Sequence, residues 1–370
     1  MYLKSKVESR IENEIFPYLP GRIKNAAQKL DRQVINQLEE IRLRAGKPVM
    51  LVLCGYDVFL HENGRVLQQP SGALTTSAEE LAEMVYKTCE NSWYAFQEDI
   101  NKGFITVRGG HRIGLVGTPV IENGRVINIK DISSLNVRIA REITGCGTAA
   151  VKHLVRGNRD IYNTLIISPP GVGKTTMLRD IVRIVSDGFP PVFDGLKVGA
   201  VDERGELAAC YRGIPQNDLG LRTDVIHGIP KKEGMEMLLR GMSPNVIALD
   251  ELGNPEDVST VLQVMNGGVR LIATAHGYDA KQLKSRLGFL ELFRANAFER
   301  FVVLSESEKH FYEIKIMDGD GNVLAVDAQS GRKPVDHNGF NDGGVHAFTK
   351  AYRKAGAYQG GSGIFTGTGE

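Results

Sequence analysis

This sequence lacks features that several classes of protein require. Its 370 residues contain only four cysteines and no Cys-x-x-Cys pair, which disfavours a zinc site or a disulfide framework and predicts reduced thiols. No stretch approaches the roughly 18 consecutive apolar residues that cross a bilayer. The amino-terminal segment is too charged for a secretory signal. We therefore expect a cytoplasmic protein with no transmembrane segment of its own.

Net charge is also nearly absent. The 45 basic and 44 acidic residues leave a formal charge of +1, and aromatic residues make up 7% of the chain. A chain so balanced has no overall field to attract nucleic acid or anionic lipid, so any such contact must be local. Two short basic clusters are candidates for an anionic partner: Arg42, Arg44 and Lys47 in one, and Arg108, His111 and Arg112 in the other.

The most informative motif is the segment SPPGVGKTT, residues 168–176, which lies between an apolar strand and an apolar helix. Its glycines let successive backbone N–H groups curl around an anion, and the following helix points its positive end at that anion. Lys174 is expected to reach the outer phosphates of a nucleotide, and Thr175 to be a ligand of Mg²⁺. Ser168 stands where the general pattern has glycine, and we expect a small residue to make the same turn. The predicted nucleotide-binding residues are Pro170, Gly171, Val172, Gly173, Lys174, Thr175 and Thr176.

The sequence pattern divides the chain into four segments. Residues 1–144 read as a smaller α+β domain, with helices first and short strands later. Residues 145–160 read as a glycine-bearing linker with a helix, and residues 161–330 alternate strand and helix. Residues 331–370 contain 10 glycines and no amphipathic period, which predicts a flexible tail.

The alternation in residues 161–330 predicts a mainly parallel sheet covered by helices. The carboxyl ends of such strands line one crevice, which is the usual ligand position. The predicted strands are Thr164–Ile167, Val198–Val201, Val246–Leu249, Leu271–Thr274 and Phe301–Leu304, followed by a closing hairpin from Phe311–Ile316 and Val323–Val326. The helix after the phosphate loop is predicted from an apolar face of Met177, Leu178, Ile181, Val182 and Val185. In the first domain, Phe104–Val107 and Ile113–Val116 predict a hairpin, with a second turn at Asn123-Gly124.

The run VIALDE places two carboxylates directly after a buried strand. In a nucleotide enzyme, Asp250 would hold Mg²⁺ through its water shell. Glu251 would polarise the water that attacks the terminal phosphate. These two residues are the predicted metal-site residue and the first candidate for the catalytic base.

Two further strand ends carry polar residues. Asp202 and Glu203 follow the strand at Val198–Val201, so Glu203 is a rival to Glu251 as the base, and an ion pair with Arg204 is the structural alternative. Thr274 and His276 offer a hydroxyl and an imidazole where the terminal phosphate is expected, which suggests a sensing role for His276.

An arginine from a neighbouring subunit is a common way to stabilise the charge of phosphoryl transfer. The candidates are Arg204, Arg222, Arg240 and Arg300, and we expect at least one of the last three to act across an interface. No NKxD sequence in the candidate domain would select guanine, so ATP with Mg²⁺ is the predicted ligand.

Long motifs in this chain carry a resemblance to a known family. They are EEIRLRAGKPV, VDERGELAACYRGIPQNDLGLRTDV, MLLRGMSPNVIALDELG and TAHG. Together they closely resemble the stage III sporulation protein AA family, the ATPases of endospore-forming bacteria, over about residues 1–330. That family is similar to the secretion ATPases of type II, type IV and pilus systems, which are hexameric rings on the cytoplasmic face of membrane complexes.

The resemblance implies a RecA-like P-loop core of the ASCE/AAA+ type and a smaller α+β amino-terminal domain. Its phosphate loop, acidic box, magnesium-site box and histidine box would correspond here to Gly171–Thr176, Asp202–Glu203, Asp250–Glu251 and Thr274–His276. RLRAGKP would be the region of the opening strand. The secretion enzymes generally have glycine where this chain has Asp250. The resemblance also implies a homo-hexamer. The predicted catalytic residues are Glu251, with Glu203 as the alternative base, His276, and the arginines Arg240 and Arg300.

By the same resemblance, the protein would sit peripherally on the cytoplasmic face of the mother-cell membrane. It would dock on membrane proteins of the channel between mother cell and forespore and drive them by hydrolysis. Two alternatives stay open. A RecA-like nucleic-acid motor would use the local basic clusters, although the balanced charge argues against it. A nucleotide-switched scaffold would bind ATP with little hydrolysis.

Overall fold

In the computed structural model, two large β-sheets organise the part of the chain described, which comprises residues 6–90, 92–101, 103–253, 255–306 and 312–329. The first sheet has seven strands and the second has eight, and a two-stranded sheet accompanies the first. The predicted tail, residues 331–370, and Phe311 at the start of the predicted closing hairpin lie outside the described residues.

The first sheet is antiparallel throughout, with the strand order β5-β4-β3-β1-β9-β8-β7. Its strands and those of the small β2-β6 sheet are β1 Leu38–Arg44, β2 Lys47–Pro48, β3 Met50–Leu53, β4 Tyr56–Leu60, β5 Val66–Leu67, β6 Thr75–Thr76, β7 Phe104–Thr106, β8 Arg112–Glu122 and β9 Arg125–Arg138. The accompanying helices are α1 Lys6–Glu14, α2 Gly21–Ala27, α3 Arg32–Gln37, α4 Ala78–Thr88 and α5 Gln97–Asn101, with 3-10 turns at Trp93–Phe96 and Arg108–Gly110.

Two predicted turns of this sheet are confirmed. β7 and β8 pair across the segment at Arg108–Gly110, and β8 and β9 join through Asn123-Gly124. Both residues of the second turn have positive φ, 49° and 75°, which is what a two-residue hairpin with the right-handed strand twist requires. The sequence pattern missed how long β9 is. The distal part of this ribbon is exposed, so it has no clear alternation of apolar and polar residues.

The second sheet is parallel from β12 through β15 and ends in an antiparallel hairpin, with the order β12-β11-β13-β14-β10-β15-β16-β17. Its strands are β10 Thr164–Ser168, β11 Val198–Asp202, β12 Thr223–His227, β13 Val246–Leu249, β14 Arg270–His276, β15 Arg300–Glu306, β16 Tyr312–Asp318 and β17 Val323–Gln329. Its helices are α6 Thr148–Leu154, α7 Lys174–Asp187, α8 Lys231–Met242, α9 Pro255–Asn266, α10 Ala280–Lys284 and α11 Leu287–Arg294.

The five predicted strands of the parallel part are confirmed to within two residues at each end. The second strand of the predicted closing hairpin, Val323–Val326, is also present but extends three residues further, to Gln329, and its first strand is described as Tyr312–Asp318. The parallel strands β10, β11 and β13 are mainly apolar and are buried on both faces, as parallel strands between helix layers are. β12 was not predicted because its residues are only partly buried at the edge of the sheet. The predicted apolar face of α7 is also confirmed, since Met177, Leu178, Ile181, Val182 and Val185 are all buried.

The helix α6 packs on α7 and connects the two sheets. The carboxylate of Asp180, which is fully buried on α7, accepts a hydrogen bond of 2.7 Å from the backbone N–H of Gly147, the residue directly before α6. Arg183 donates to the other oxygen of the same carboxylate at 2.7 Å. The phosphate-loop helix is therefore tied directly to the predicted linker segment, 145–160.

No helix among the described residues is both long enough and apolar enough to cross a membrane. All four cysteines are free, as predicted. Burial raises the pKa of Cys146 and of Cys210 to about 12, and that of Cys89 to about 11, so these thiols stay protonated at neutral pH.

Candidate active site

The predicted phosphate loop connects the carboxyl end of β10 to the amino end of α7. Gly171 and Gly173 have φ of +79° and +103°, a conformation that favours glycine. A Cβ at either position would meet nothing within 4 Å, so the space beside the loop is open. Gly173 is the residue before α7, and no side chain caps the helix there. The N–H groups of the first turn are therefore available to bind an anion.

Ser168 departs from the usual glycine because the turn has not begun at this position. It is the last residue of β10, is fully buried and pairs in register with His276 of β14. Its φ is not positive, and its hydroxyl donates to the carbonyl of Pro169 at 2.9 Å. A side chain is therefore tolerated here, as expected from the sequence.

The remaining loop residues have distinct surroundings. Val172 is buried in the core beneath the loop, whereas Pro170 is exposed. Lys174 begins α7 and is half-buried, and its ammonium makes no ion pair with another described residue. Thr176 follows Thr175 in the first helical turn, and its carbonyl accepts a weak contact from the thiol of Cys146 at 3.7 Å.

The decisive contact of the site joins the phosphate-loop helix to the acidic pair. The hydroxyl of Thr175 donates to Oδ2 of Asp250 at 2.8 Å. β14 lies between β10 and β13 in the sheet, and the side chains of Thr175 and Asp250 meet across its carboxyl end. A hydroxyl and a carboxylate in contact beside a phosphate cradle are the oxygen donors that Mg²⁺ prefers. These residues therefore fit a magnesium ion bound with a nucleotide.

Thr274 does not offer its hydroxyl to a phosphate, contrary to the sequence-based expectation. It is fully buried on β14, and its hydroxyl donates to Oδ1 of Asp250 at 2.7 Å while accepting from the backbone N–H of Glu251 at 2.8 Å. Its carbonyl also accepts from the N–H of Leu252 at 2.7 Å. Thr274 therefore positions both members of the acidic pair.

Glu251 has a φ of +60°, in the left-handed region that is unfavourable for a residue with a side chain. The hydrogen bonds that the backbone N–H groups of Glu251 and Leu252 donate to Thr274 hold the chain in this bend immediately after β13. The bend directs the carboxylate toward Arg204, which forms an ion pair with Oε2, and toward His276. Strain of this kind at a strand end is frequent in functional sites.

His276 lies at the carboxyl end of β14, as predicted. Its Nε2 is 3.7 Å from Oε1 of Glu251. Its Nδ1 is buried and has no hydrogen-bond partner among the described residues. The imidazole therefore stands beside the candidate base with one nitrogen unsatisfied.

Asp202 of the second acidic pair has a structural task. It is buried, and its carboxylate accepts hydrogen bonds from the backbone N–H groups of Glu206, Leu207 and Ala208 at 2.8, 3.1 and 2.8 Å. Three amide donors occupy its oxygens in the chain as it stands, so this residue shapes the loop after β11.

Glu203 and Arg204 do not pair with each other. Glu203 forms an ion pair with Lys231, a buried residue at the start of α8, whereas Arg204 pairs with Glu251. The rival base is thus already engaged by a lysine. The structural alternative for Glu203 was an ion pair with Arg204. Glu203 does form an ion pair, but its partner is Lys231.

The arginine candidates have separate locations. Arg222 donates to the carbonyls of Ser186 and Asp187 at the end of α7, at 2.7 and 3.1 Å. Arg240 lies near the end of α8, its side chain is 80% exposed, and it pairs with Glu236 one turn earlier. Among the described residues, its guanidinium is thus held by a single exposed contact on its own helix.

Arg300 is remote from the phosphate loop within one chain. It pairs in register with Thr164, the first residue of β10, whereas the loop follows the last residue. Its guanidinium lies 3.6 Å from the centre of the Tyr162 ring and donates to the carbonyl of His153 at 3.1 Å. The structure does not bring Arg300 together with Lys174 or Glu251.

Sequence reasoning missed Arg179 and Arg112, which support the loop after β11. Arg179 of α7 donates to the carbonyls of Glu206 and Leu207 at 2.7 and 2.8 Å. Burial lowers the pKa of Arg179, an effect opposed by nearby carboxylates that include Asp202. Backbone carbonyls occur at every residue, so the sequence contains no signal for contacts of this kind.

Replacing Thr274 by valine is expected to lower the free energy of unfolding by about 2 kcal/mol, because a buried N–H and a carboxylate oxygen lose their partner. Valine has nearly the same shape, so packing is retained. Urea denaturation of the wild-type and variant chains measures the change. Thr274→Ser, which keeps the hydroxyl, is the matched control and is expected to lose less than half as much. Equal losses in the two variants would contradict the positioning role of the hydroxyl.

The family model described as sporulation stage III, protein AA matches residues 9–324 of the chain. The chain belongs to this family. Stage III sporulation protein AA of Bacillus subtilis (strain 168) is 39% identical over 313 residues, which cover 85% of this chain and 97% of that protein. The resemblance read from the motifs is therefore confirmed over nearly the whole predicted extent.

Solved structures share the fold of this family member at low sequence identity. The Legionella pneumophila ATPase DotB superposes with a TM-score of 0.50 and 12% identity, covering 81% of this chain and 82% of DotB. The pilus retraction motor PilT, solved with bound ADP, gives a TM-score of 0.52 and 13% identity, covering 78% of this chain and 81% of PilT. The predicted fold, an α/β RecA-like P-loop core with a smaller α+β amino-terminal part, is confirmed.

Proposed function

We propose that the chain is a Mg²⁺-dependent ATPase that works as a ring motor of the secretion-ATPase type. The observation that carries the proposal is the contact between Thr175 and Asp250, which joins an open phosphate loop to an acidic strand end. Family membership and the fold shared with DotB and PilT support the same function.

The phosphate loop accounts for nucleotide binding. The N–H groups at the start of α7 receive the phosphates, and the ammonium of Lys174 neutralises their outer oxygens. Thr175 and Asp250 would hold the magnesium ion. When bound, that ion supplies positive charge that favours departure of the terminal phosphate from the diphosphate.

The strand-end residues account for hydrolysis. Glu251 accepts a proton from the attacking water, and the bend held by Thr274 keeps its carboxylate at the mouth of the crevice. His276 is next to this carboxylate and is the group best located to respond to the terminal phosphate. The division of labour is thus Asp250 for the metal and Glu251 for the water.

The remaining parts of the proposal concern assembly and location. We assign the arginine that acts across subunits to Arg240, because its side chain is 80% exposed and, within the part of the chain that is described, makes one exposed ion pair. Six copies would form a ring, with residues 1–144 moving against 161–330 about 145–160. The ring would dock on membrane proteins of the channel between mother cell and forespore, at the cytoplasmic face of the mother-cell membrane.

The nucleic-acid alternative has less support because the second basic cluster is used within the chain. His111 is buried and contacts Glu14 at 3.0 Å, and Arg112 donates to the loop after β11. Arg42 of the first cluster is 46% exposed and lies 3.8 Å from Glu40. Neither cluster is interleaved with exposed aromatic rings that would stack on bases.

ATP turnover and solution mass of the purified chain test the proposal. We expect phosphate release that requires Mg²⁺, and a several-fold rise in particle mass when ATP is added at micromolar protein. Single-stranded DNA should leave turnover unchanged, whereas membrane partners should raise it. Nucleotide binding without phosphate release would instead indicate a scaffold. A chain that stays monomeric with ATP would contradict the ring and the role assigned to Arg240.

A further inference from the structure

Arg112 of the amino-terminal sheet holds the backbone of the loop that follows β11. Its guanidinium donates to the carbonyl of Gly205 at 2.8 Å and to that of Arg204 at 3.4 Å. It also contacts Oε1 of Glu206 at 3.4 Å. The same guanidinium lies 4.7 Å from the centre of the Phe104 ring on β7, so it is anchored on its own sheet.

Arg204, whose carbonyl Arg112 holds, is also the residue that contacts the candidate base, Glu251. The side chain of Arg204 forms the ion pair with Oε2 of Glu251, while its carbonyl accepts from Arg112. The chain of contacts is therefore Arg112, then the backbone at Arg204, then its side chain, then Glu251. It runs from the amino-terminal sheet to the water-activating carboxylate within one chain.

The loop has a fixed part and a part that can move. Residues 206–208 are held by the carboxylate of Asp202, and the carbonyls of residues 206 and 207 by Arg179. The apex at 204–205 is held by Arg112, and Gly205 has a φ of +67° with open space beside it. A cavity of about 600 Å³ lies beside this contact and is lined by both Arg112 and Arg204. The apex therefore has room to shift when the sheet shifts.

We propose that Arg112 is a positioning residue that keeps Arg204 on Glu251, so that displacement of the amino-terminal sheet releases the base and starts hydrolysis. Oε2, which is engaged by a guanidinium, is not free to accept the hydrogen bond of the attacking water. When Arg204 withdraws, the carboxylate can take the water proton as the water oxygen bonds to the terminal phosphorus and ADP leaves. This inference rests on the proposed ATPase function. It adds the route by which a partner on the amino-terminal sheet would control turnover.

Steady-state hydrolysis by Arg112→Met, Arg204→Ala and the double variant tests the route. Methionine keeps an apolar stem on Phe104 but removes the donors. Each single variant is expected to raise kcat on the order of tenfold with KM for ATP unchanged, a typical size for coupling between sites. The double variant should be no faster than Arg204→Ala, because both changes act on one chain of contacts. Arg112→Lys, which keeps one donor group, should return kcat toward the wild-type value.

Arg138→Ala is the matched control. Arg138 faces Arg112 across the β8-β9 register but is 65% exposed and reaches Glu40 instead of the loop. Its replacement is expected to leave kcat unchanged. A fall in kcat, or no change, in folded Arg112→Met or Arg204→Ala would overturn the proposal, as would equal acceleration by Arg138→Ala.

Amide hydrogen exchange of the nucleotide-free chain tests the tether without any hydrolysis. Arg112→Met is expected to increase exchange at least severalfold at residues 204 and 205 and to leave it unchanged at residues 206–208 and in α7. Unchanged exchange at residues 204 and 205 would overturn the tether. Together with the hydrolysis assay, this measurement distinguishes a failure of the proposed ATPase function from a failure of the coupling through Arg112. If wild-type protein neither binds nor hydrolyses ATP, the proposed function fails, whereas normal ATPase activity with no response to either arginine refutes only the coupling.

Discussion

Replacement of Lys174 by alanine is expected to remove measurable nucleotide binding at micromolar protein and to lower ATP turnover by roughly 100-fold or more, the usual effect of losing one preorganised charge at a phosphoryl-transfer site. The loop amides and the helix end remain, but they carry only partial charges. Lys174 is the residue of the loop whose full positive charge can follow the outer phosphates. Titration with a fluorescent ATP analogue and phosphate release measure the two effects.

Lys152→Ala is the matched control for this experiment. Lys152 is exposed on α6, the short helix that packs against α7. The same charge is removed close to the phosphate-loop helix but away from the loop. Binding and turnover should stay at wild-type values. Unchanged affinity in Lys174→Ala would show that the triphosphate does not occupy this loop.

The conformation of the predicted phosphate loop could be anticipated because all of its determinants are local. Glycines at 171 and 173 are required by backbone conformation, and the apolar face of α7 is a periodicity of neighbouring residues. The parallel strands were predictable for the same reason, since each is a short apolar run. Even the departure at Ser168 has a local cause, because the strand still continues through that residue.

The partners of the acidic residues were not predictable, because they depend on the strand order. Thr274 meets Asp250 and Glu251 only because β14 lies between β10 and β13. Nothing in the sequence distinguishes this order from others that the same strands allow. The sequence-based assignment of Thr274 to a phosphate was wrong for that reason, although its place at the strand end was right.

Contacts between the two sheets were the least accessible to sequence reasoning. Arg112 is separated from Gly205 by 93 positions, and the contact is to a backbone carbonyl. Arg112 and His111 read as a basic cluster in the sequence, yet one holds a loop and the other is buried against Glu14. A run of basic residues does not reveal whether its charges face a partner or the rest of the chain.

Glu251→Gln is expected to bind ATP with wild-type affinity and to lower kcat by roughly 100- to 10,000-fold, the range of a general base. Glutamine has the same shape and can still contact Arg204, but it cannot take a proton from water at neutral pH. The change leaves the phosphate loop and the contact between Thr175 and Asp250 in place. Single-turnover phosphate release, together with nucleotide titration, separates the loss of chemistry from any loss of binding.

Glu203→Gln makes the comparison decisive, because Glu203 is the rival base and already forms an ion pair with Lys231. Lys231 is buried, so removing the charge of its partner leaves a poorly compensated ammonium, and we expect a loss of about 1 kcal/mol or more in the free energy of unfolding. If Glu251 is the base, the kcat of Glu203→Gln falls far less than that of Glu251→Gln, while its stability falls more. The reverse pattern, with turnover abolished in Glu203→Gln and retained in Glu251→Gln, would transfer the role to Glu203. It would also remove the functional meaning of the strained bend at Glu251, because a strained carboxylate that activates no water would serve only to hold Arg204.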